Sequence, residues 1–187
     1  MTAGEMVAEI EECRDSSGPI PLSVVRKWML CDDIEVQGQT SDLVTYPPWW
    51  ERIEPPLGED ELTGFLLRYY RRCFLEDPVS DLADSRYGIA REIVEWYAAV
   101  PQEEDVLQQG FLSHVKGLLR SLYVEGADDV RDAIVCGALE HILEDPRWRS
   151  FFSDWQAEPA LAAAYGRAMD WAVAHERVMP TEERNGA

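Results

Sequence analysis

From residue 61 onward, large apolar side chains recur at helical spacing, and no other feature of the chain constrains its fold as strongly. Leu62, Phe65, Leu66, Tyr69, Cys73 and Phe74 fall at i, i+3, i+4, i+7, i+11 and i+12, the one-sided stripe of an amphipathic helix. Asp60 is its expected N-cap. Asp77-Pro78 stops it, because the residue before a proline avoids the helical region. A second helix is expected over 80–99, capped by Ser80 or Asp81, with Leu82, Ile89, Ile93 and Tyr97 inward. A third, over 103–124, opens on Glu103, Glu104 and Asp105, which complement the helix dipole. Its stripe is Leu107, Phe111, Val115, Leu118 and Leu122, and Gly126 closes it.

Val130, Ile134, Ala138, Leu139 and Ile142 define a further helix from Asp128 or Asp129 to residue 144. Trp148, Phe151, Phe152 and Trp155 form a short aromatic helix. Pro159 opens a last one over 159–178, with Leu161, Tyr165, Ala168, Met169 and Ala172 inward. Helices joined by such short loops are antiparallel neighbours. The expected fold class is therefore all-α: an antiparallel helical bundle, or a short HEAT-like stack of helix pairs.

The first sixty residues read differently. Thr2 and Glu5 form a capping box for a helix over 3–14, and a Ser-Gly-Pro stretch breaks it. A short helix follows over 22–31, with Val24, Val25, Trp28 and Met29 inward. Residues 32–60 show no helical period. They are read as a long irregular arm with short extended pieces at 34–36 and 43–46, pinned by Tyr46, Trp49 and Trp50. The expected organisation is an arm over 1–60 packed on a helical domain over 61–178, with a frayed tail over 179–187.

Charge decides which partners suit such a chain. Asp and Glu total 36 against 17 Lys and Arg, for a net charge of −19. That balance argues against direct binding to nucleic acid or to an anionic membrane, since both need clustered cations. It suits a basic protein partner. The charge divides as −10 over residues 1–67, −1 over 68–100 and −8 over 101–187. Cys13, Cys31, Cys73 and Cys136 are widely spaced and read as free thiols of a reducing compartment. The first residues lack the cationic and apolar regions of a signal peptide, and no run of about 18 apolar residues exists. A cytoplasmic location is expected.

No motif for catalysis, cofactor or metal emerges. Glu140-His141 with Glu144 is the nearest to a metal cluster, but the matching Glu-x-x-His pairs of a carboxylate-bridged site are missing. His141 is expected to be structural. No glycine-rich phosphate loop and no nucleophile elbow is present. Most paired carboxylates sit at expected helix starts. Asp32, Asp33 and Glu35 do not: they follow a helix end, where acids are disfavoured, and so form the preferred partner-facing cluster. Trp49 and Trp50 join it from the arm. Arg68, Arg72 and Arg86 belong to the densest basic-aromatic grouping, which also holds Arg71, Tyr87 and Arg91. Salt bridges from this grouping to Glu76, Asp77, Asp81 and Asp84 would tie two adjacent helices.

The runs 65–78 and 130–146, with Ser85-Arg86-Tyr87 and Glu95-Trp96-Tyr97, resemble a group of uncharacterised bacterial all-helical domains. Some of these are HEAT-like, and some stand near polymorphic toxins as immunity proteins. The resemblance covers residues 60–175 and implies a fold and a bacterial source. It carries over no catalytic residue. The expected function is a non-enzymatic acidic binding module, immunity-like, for a basic protein. Two alternatives stand beside it. One is a small enzyme or ligand-binding protein with its site between Arg68–Arg91 and the 32–60 segment. The other is a regulator whose carboxylates imitate nucleic-acid phosphates.

Overall fold

A computed structural model describes residues 1–101 and 110–175. Among the described residues the fold is all-α apart from one two-residue strand pair. Helix α1 spans Ala3–Asp15, α2 Leu22–Met29, α3 Ile34–Thr45, α4 Glu59–Glu76, α5 Arg86–Ala98 and α6 Gly110–Glu125. Next comes a continuous helical rod: α7 over Asp128–Asp132, π-helical turns over Ala133–Leu139 and α8 over Glu140–Ile142. Helices α9 (Pro146–Phe151), α10 (Asp154–Ala157) and α11 (Ala162–Ala174) complete it. Strands β1 (Ile20–Pro21) and β2 (Ile53–Glu54) pair in parallel, with Ile20 opposite Ile53.

One apolar cluster runs through the whole described chain, from Ile10 to Ala172, and residues before 60 feed it through Ile10, Leu22, Val25, Trp28, Val36 and Leu43. Trp28, Trp148 and Trp155 are its largest fully buried side chains. Burying a large apolar side chain contributes about 1.5–3 kcal/mol, so this shared core is what holds α1–α3 to the rest. The α4 stripe is buried as expected, with Tyr70 added and Leu62 at its edge. The aromatic residues over 148–155 pack edge to face, Tyr97 against Trp148 at 4.8 Å among them.

The arm is where the structure differs most from expectation. Residues 34–45 form α3, not an irregular arm with short extended pieces. The period was hidden because the helix buries a polar face: Gln37, Gly38, Gln39, Thr40 and Ser41 are all enclosed, beside Val36, Leu43 and Val44. Each buried amide finds partners, as buried polar groups must. Gln37 donates to the Cys31 carbonyl at 2.8 Å and accepts from Arg72 at 3.0 Å, and Gln39 Oε1 accepts from Arg14 at 2.6 Å. Of the three expected pins, Tyr46 and Trp50 are about half exposed. Trp49 alone is packed down, with the Arg14 guanidinium 4.9 Å above its ring. Arg52, in the short 3-10 turn before β2, closes the end of α1 by donating to the Cys13 and Gly18 carbonyls.

Several boundaries also move. Gly58, not Asp60, caps α4, and Asp60 sits in its first turn. Ser85 caps α5, so residues 77–85 form a loop that ends where the second helix begins. The last helix starts at Ala162 after Leu161, past Pro159. The buried stripe of α6 is Leu112, Val115, Leu119 and Leu122, with Phe111 and Leu118 at its margin. The expected acidic first turn at Glu103–Asp105, the Leu107 contact and the tail over 179–187 lie outside the described residues.

Candidate functional site: an acidic seam between α3 and α5

The expected site residues scatter, and each has a local cause. Asp33 is the N-cap of α3, accepting from the Glu35 and Val36 amides at 3.0 and 3.2 Å. The Asp32-Asp33 pair therefore opens a helix, and the puzzle of acids trailing a helix end is resolved by an element the sequence did not reveal. Glu35 accepts from Ser80 Oγ at 2.9 Å, which ties α3 to loop 77–85. Arg72 bridges the same junction: it donates to the Asp32 carbonyl at 2.8 Å and pairs with Glu76 at 2.7 Å. Arg68 reaches only the Gly64 carbonyl on its own helix. Arg86 is 7% exposed, donating to the Phe74 carbonyl and to Asp129, each at 2.6 Å. Trp49 and Trp50 lie beyond the other end of α3. Of the salt bridges expected of this grouping, Arg72–Glu76 forms within α4 and Arg86–Asp77 forms at 3.8 Å; among the described residues Asp81 and Asp84 pair with no arginine, while Arg86 also closes on Asp129 and Arg71 on Glu125.

What the structure assembles is a different acidic feature. Loop 77–85 lies along α3 so closely that a Cβ at Gly38 would run into the Leu82 carbonyl and sit 2.8 Å from Ala83 Cα. Three adjoining hollows follow this seam. The first, about 570 Å³, lies between Asp77, Val79, Asp81 and Tyr87. The second, about 260 Å³, shares Asp81 with it and adds Asp42 and Asp84. The third, about 290 Å³, shares Asp42 and Asp84 and adds Tyr46, Arg91, Glu92 and Glu95. Val79 is fully exposed and Tyr87 and Tyr46 about half exposed, so apolar and aromatic surface stands at both ends.

Six carboxylates line the seam, and their compensation is uneven. Asp42 meets Arg14 at 3.3 Å, Asp77 meets Arg86 at 3.8 Å, and Glu95 meets the exposed Arg91 at 3.3 Å. Among the described residues no cation pairs with Asp81, Asp84 or Glu92. Tyr69 Oη donates to Asp84 Oδ2 at 3.0 Å and accepts from the Asp84 amide at 2.8 Å, which sets the loop's conformation. Glu92 Oε1 accepts from Tyr70 Oη at 2.6 Å and from Trp96 Nε1 at 3.3 Å.

Burial and like charge raise the proton affinity of this group of acids. Glu92 is pushed up to about 7, first by burial and then by Asp84 and Asp42, against the lowering effect of the Tyr70 and Trp96 bonds. Asp42 is raised by burial and by Asp84, although Arg14 opposes both. The Tyr46 phenol is raised by burial and then by Glu92 and Glu95.

Elsewhere, His141 Nδ1 lies 2.9 Å from Glu144 Oε1, and its ring meets Trp171 edge on at 4.8 Å. No group of three or more metal-ligating side chains exists among the described residues. No helix among them is long and apolar enough to cross a membrane. Sequence reasoning placed Asp81 and Asp84 only as salt-bridge partners of the arginines, and Glu92 carried no signal that set it apart from ordinary surface charge. No family model, curated protein or solved structure matches the chain.

Proposed function

We propose that the protein is a non-enzymatic binding module, immunity-like in role, that docks a basic protein partner along the α3–α5 seam. The observation that carries this reading is charge left unpaired in a concave place: Asp81 and Asp84 line adjoining hollows without a cation of their own, beside the Glu92 carboxyl. A solvated helix face spreads its acids over convex surface, where water screens them at little cost. Here lysine or arginine side chains from a partner would supply the missing charge in a partly desolvated setting, where each pair counts for more. Exposed Val79, Tyr87 and Tyr46 give such a partner apolar contact at the rim.

A short lysine- and arginine-containing peptide tests this by equilibrium titration. Asp84→Asn and Glu95→Gln should each weaken binding by about threefold to tenfold at low salt, and affinity should fall as salt rises. Asp170→Asn, on the exposed face of α11 and far from the seam in sequence, should leave binding unchanged. Equal losses for all three variants would assign the binding to overall charge and discard the seam.

A second reading draws on Glu92 itself. A buried carboxyl pushed up to about 7 is the kind of group that serves acid–base chemistry, so a small-ligand or enzymatic site would use the same hollow. The 290 Å³ hollow has room for only a small ligand, and the peptide titration separates the two readings.

A further inference from the structure

We propose that Glu92 is a proton-linked regulator of the seam, holding a proton while the seam is empty and releasing it when a cation docks. The second half of this statement rests on the binding reading above; the first half does not.

The geometry isolates Glu92 from positive charge. Its carboxyl points between α4 and α5, where Tyr70 is fully buried and receives the Trp96 indole N–H at 2.9 Å while donating onward to Glu92 at 2.6 Å. Both donors to the carboxyl are neutral. The charged and titratable groups that face it are Asp42 from α3 and Tyr46 just past its end, Asp84 from loop 77–85, Tyr69, Tyr70 and Cys73 from α4, and Arg91 and Glu95 on its own helix. Arg91 is the one cation of that set, and it is 83% exposed and turned to Glu95. Arg14, the partner of Asp42, is engaged by Gln39 and Asp42. The empty seam therefore presents Glu92 with burial and negative neighbours, and these together favour the protonated form.

A guanidinium or ammonium entering the hollow reverses the balance. It offsets Asp84 and Asp42 and supplies a partner for the ionised carboxylate. Glu92 then loses its proton to solvent, and its carboxylate keeps the Tyr70 and Trp96 bonds. By linkage, docking that releases a proton must tighten as pH rises through the free-state titration and level off above it.

Two measurements test this, one of them without any ligand. Carbon-13 NMR of the glutamate carboxyls in the free chain should place the Glu92 midpoint near 7, and Asp84→Asn should lower it. Calorimetry of the basic peptide, run about one pH unit below the free-state midpoint in buffers of different ionisation heat, should show most of a proton released by the wild-type chain and none by Glu92→Gln. A Glu92 midpoint in the ordinary carboxylate range of about 4–5, or one that Asp84→Asn does not move, overturns the proposal. Binding without proton release also overturns it and leaves the binding reading standing. A chain that binds no peptide yet shows the Asp84→Asn shift supports the proton-holding half and overturns the binding reading together with the release half.

Discussion

Glu92 is a carboxyl group held inside the α4–α5 packing by two neutral donors, and that setting has a thermodynamic sign. Its folded pKa, about 7, lies above the ordinary value of 4.5, so between those limits the folded chain binds more protons than the unfolded one. Stability therefore carries a term that is full below about pH 4.5 and is lost as pH rises through about pH 7. Allowing for partial solvent screening, Glu92→Gln should be more stable than wild type by about 1–2 kcal/mol at pH 8 and about equal at pH 5. Urea unfolding at the two pH values checks this. Arg86 is the opposite case, a buried charge that is satisfied. Its bonds to the Phe74 carbonyl and Asp129 join the end of α4 to α7 across the start of α5. Arg86→Ala removes the packing of its stem and leaves Phe74 O without its donor, and should cost about 2–4 kcal/mol in denaturant unfolding. Arg86 stood out in the sequence only as part of a basic cluster, because nothing in a linear string shows which arginine of five will be enclosed.

Helix α3 is the element that most separates expectation from structure. An amphipathic helix is recognised by an apolar stripe, and α3 buries Gln37, Gly38, Gln39, Thr40 and Ser41 where that stripe would be. Its partners come from four other places in the chain: Arg14, Cys31, Arg72 and Leu82. A pattern that depends on partners 6 to 43 residues away cannot be read from a local window. By contrast, α4 and the rod of α7 and α8 have stripes of ordinary apolar side chains, and their expected inward residues are buried apart from Leu62, at the edge. The tight contact of Gly38 with Leu82 and Ala83 has a measurable consequence. Gly38→Ala would gain helix propensity but force loop 77–85 away from α3, and should destabilise the chain by about 1–3 kcal/mol in denaturant unfolding. An alanine that stabilises instead would mean the loop is not seated on α3.

At the scale of the molecule, the charge map along the chain conceals the charge map in space. Residues 68–100 sum to −1, yet they supply Asp77, Asp81, Asp84, Glu92 and Glu95 to the seam. Four of the cancelling arginines face away from the seam or only touch its rim: Arg68 folds onto α4, Arg71 pairs with Glu125, Arg72 with Glu76, and Arg86 with Asp129. The strongly acidic first 67 residues contribute only Asp42. Acids trailing an expected helix end pointed to Asp32, Asp33 and Glu35, while packing concentrates uncompensated charge further along the groove. Asp33 also has a capping duty, so reversing it tests α3 stability more than partner binding.

The central claim is that the seam between α3 and α5, rather than acidity in general, receives a cationic partner. The most direct measurement is an amide chemical-shift map of the isotope-labelled chain titrated with the short basic peptide at physiological salt. The account predicts perturbations confined to α3, loop 77–85 and α5, lost in Asp84→Asn with Glu95→Gln. Perturbations spread evenly over the acidic surface, or centred on α1 or α11, would contradict it.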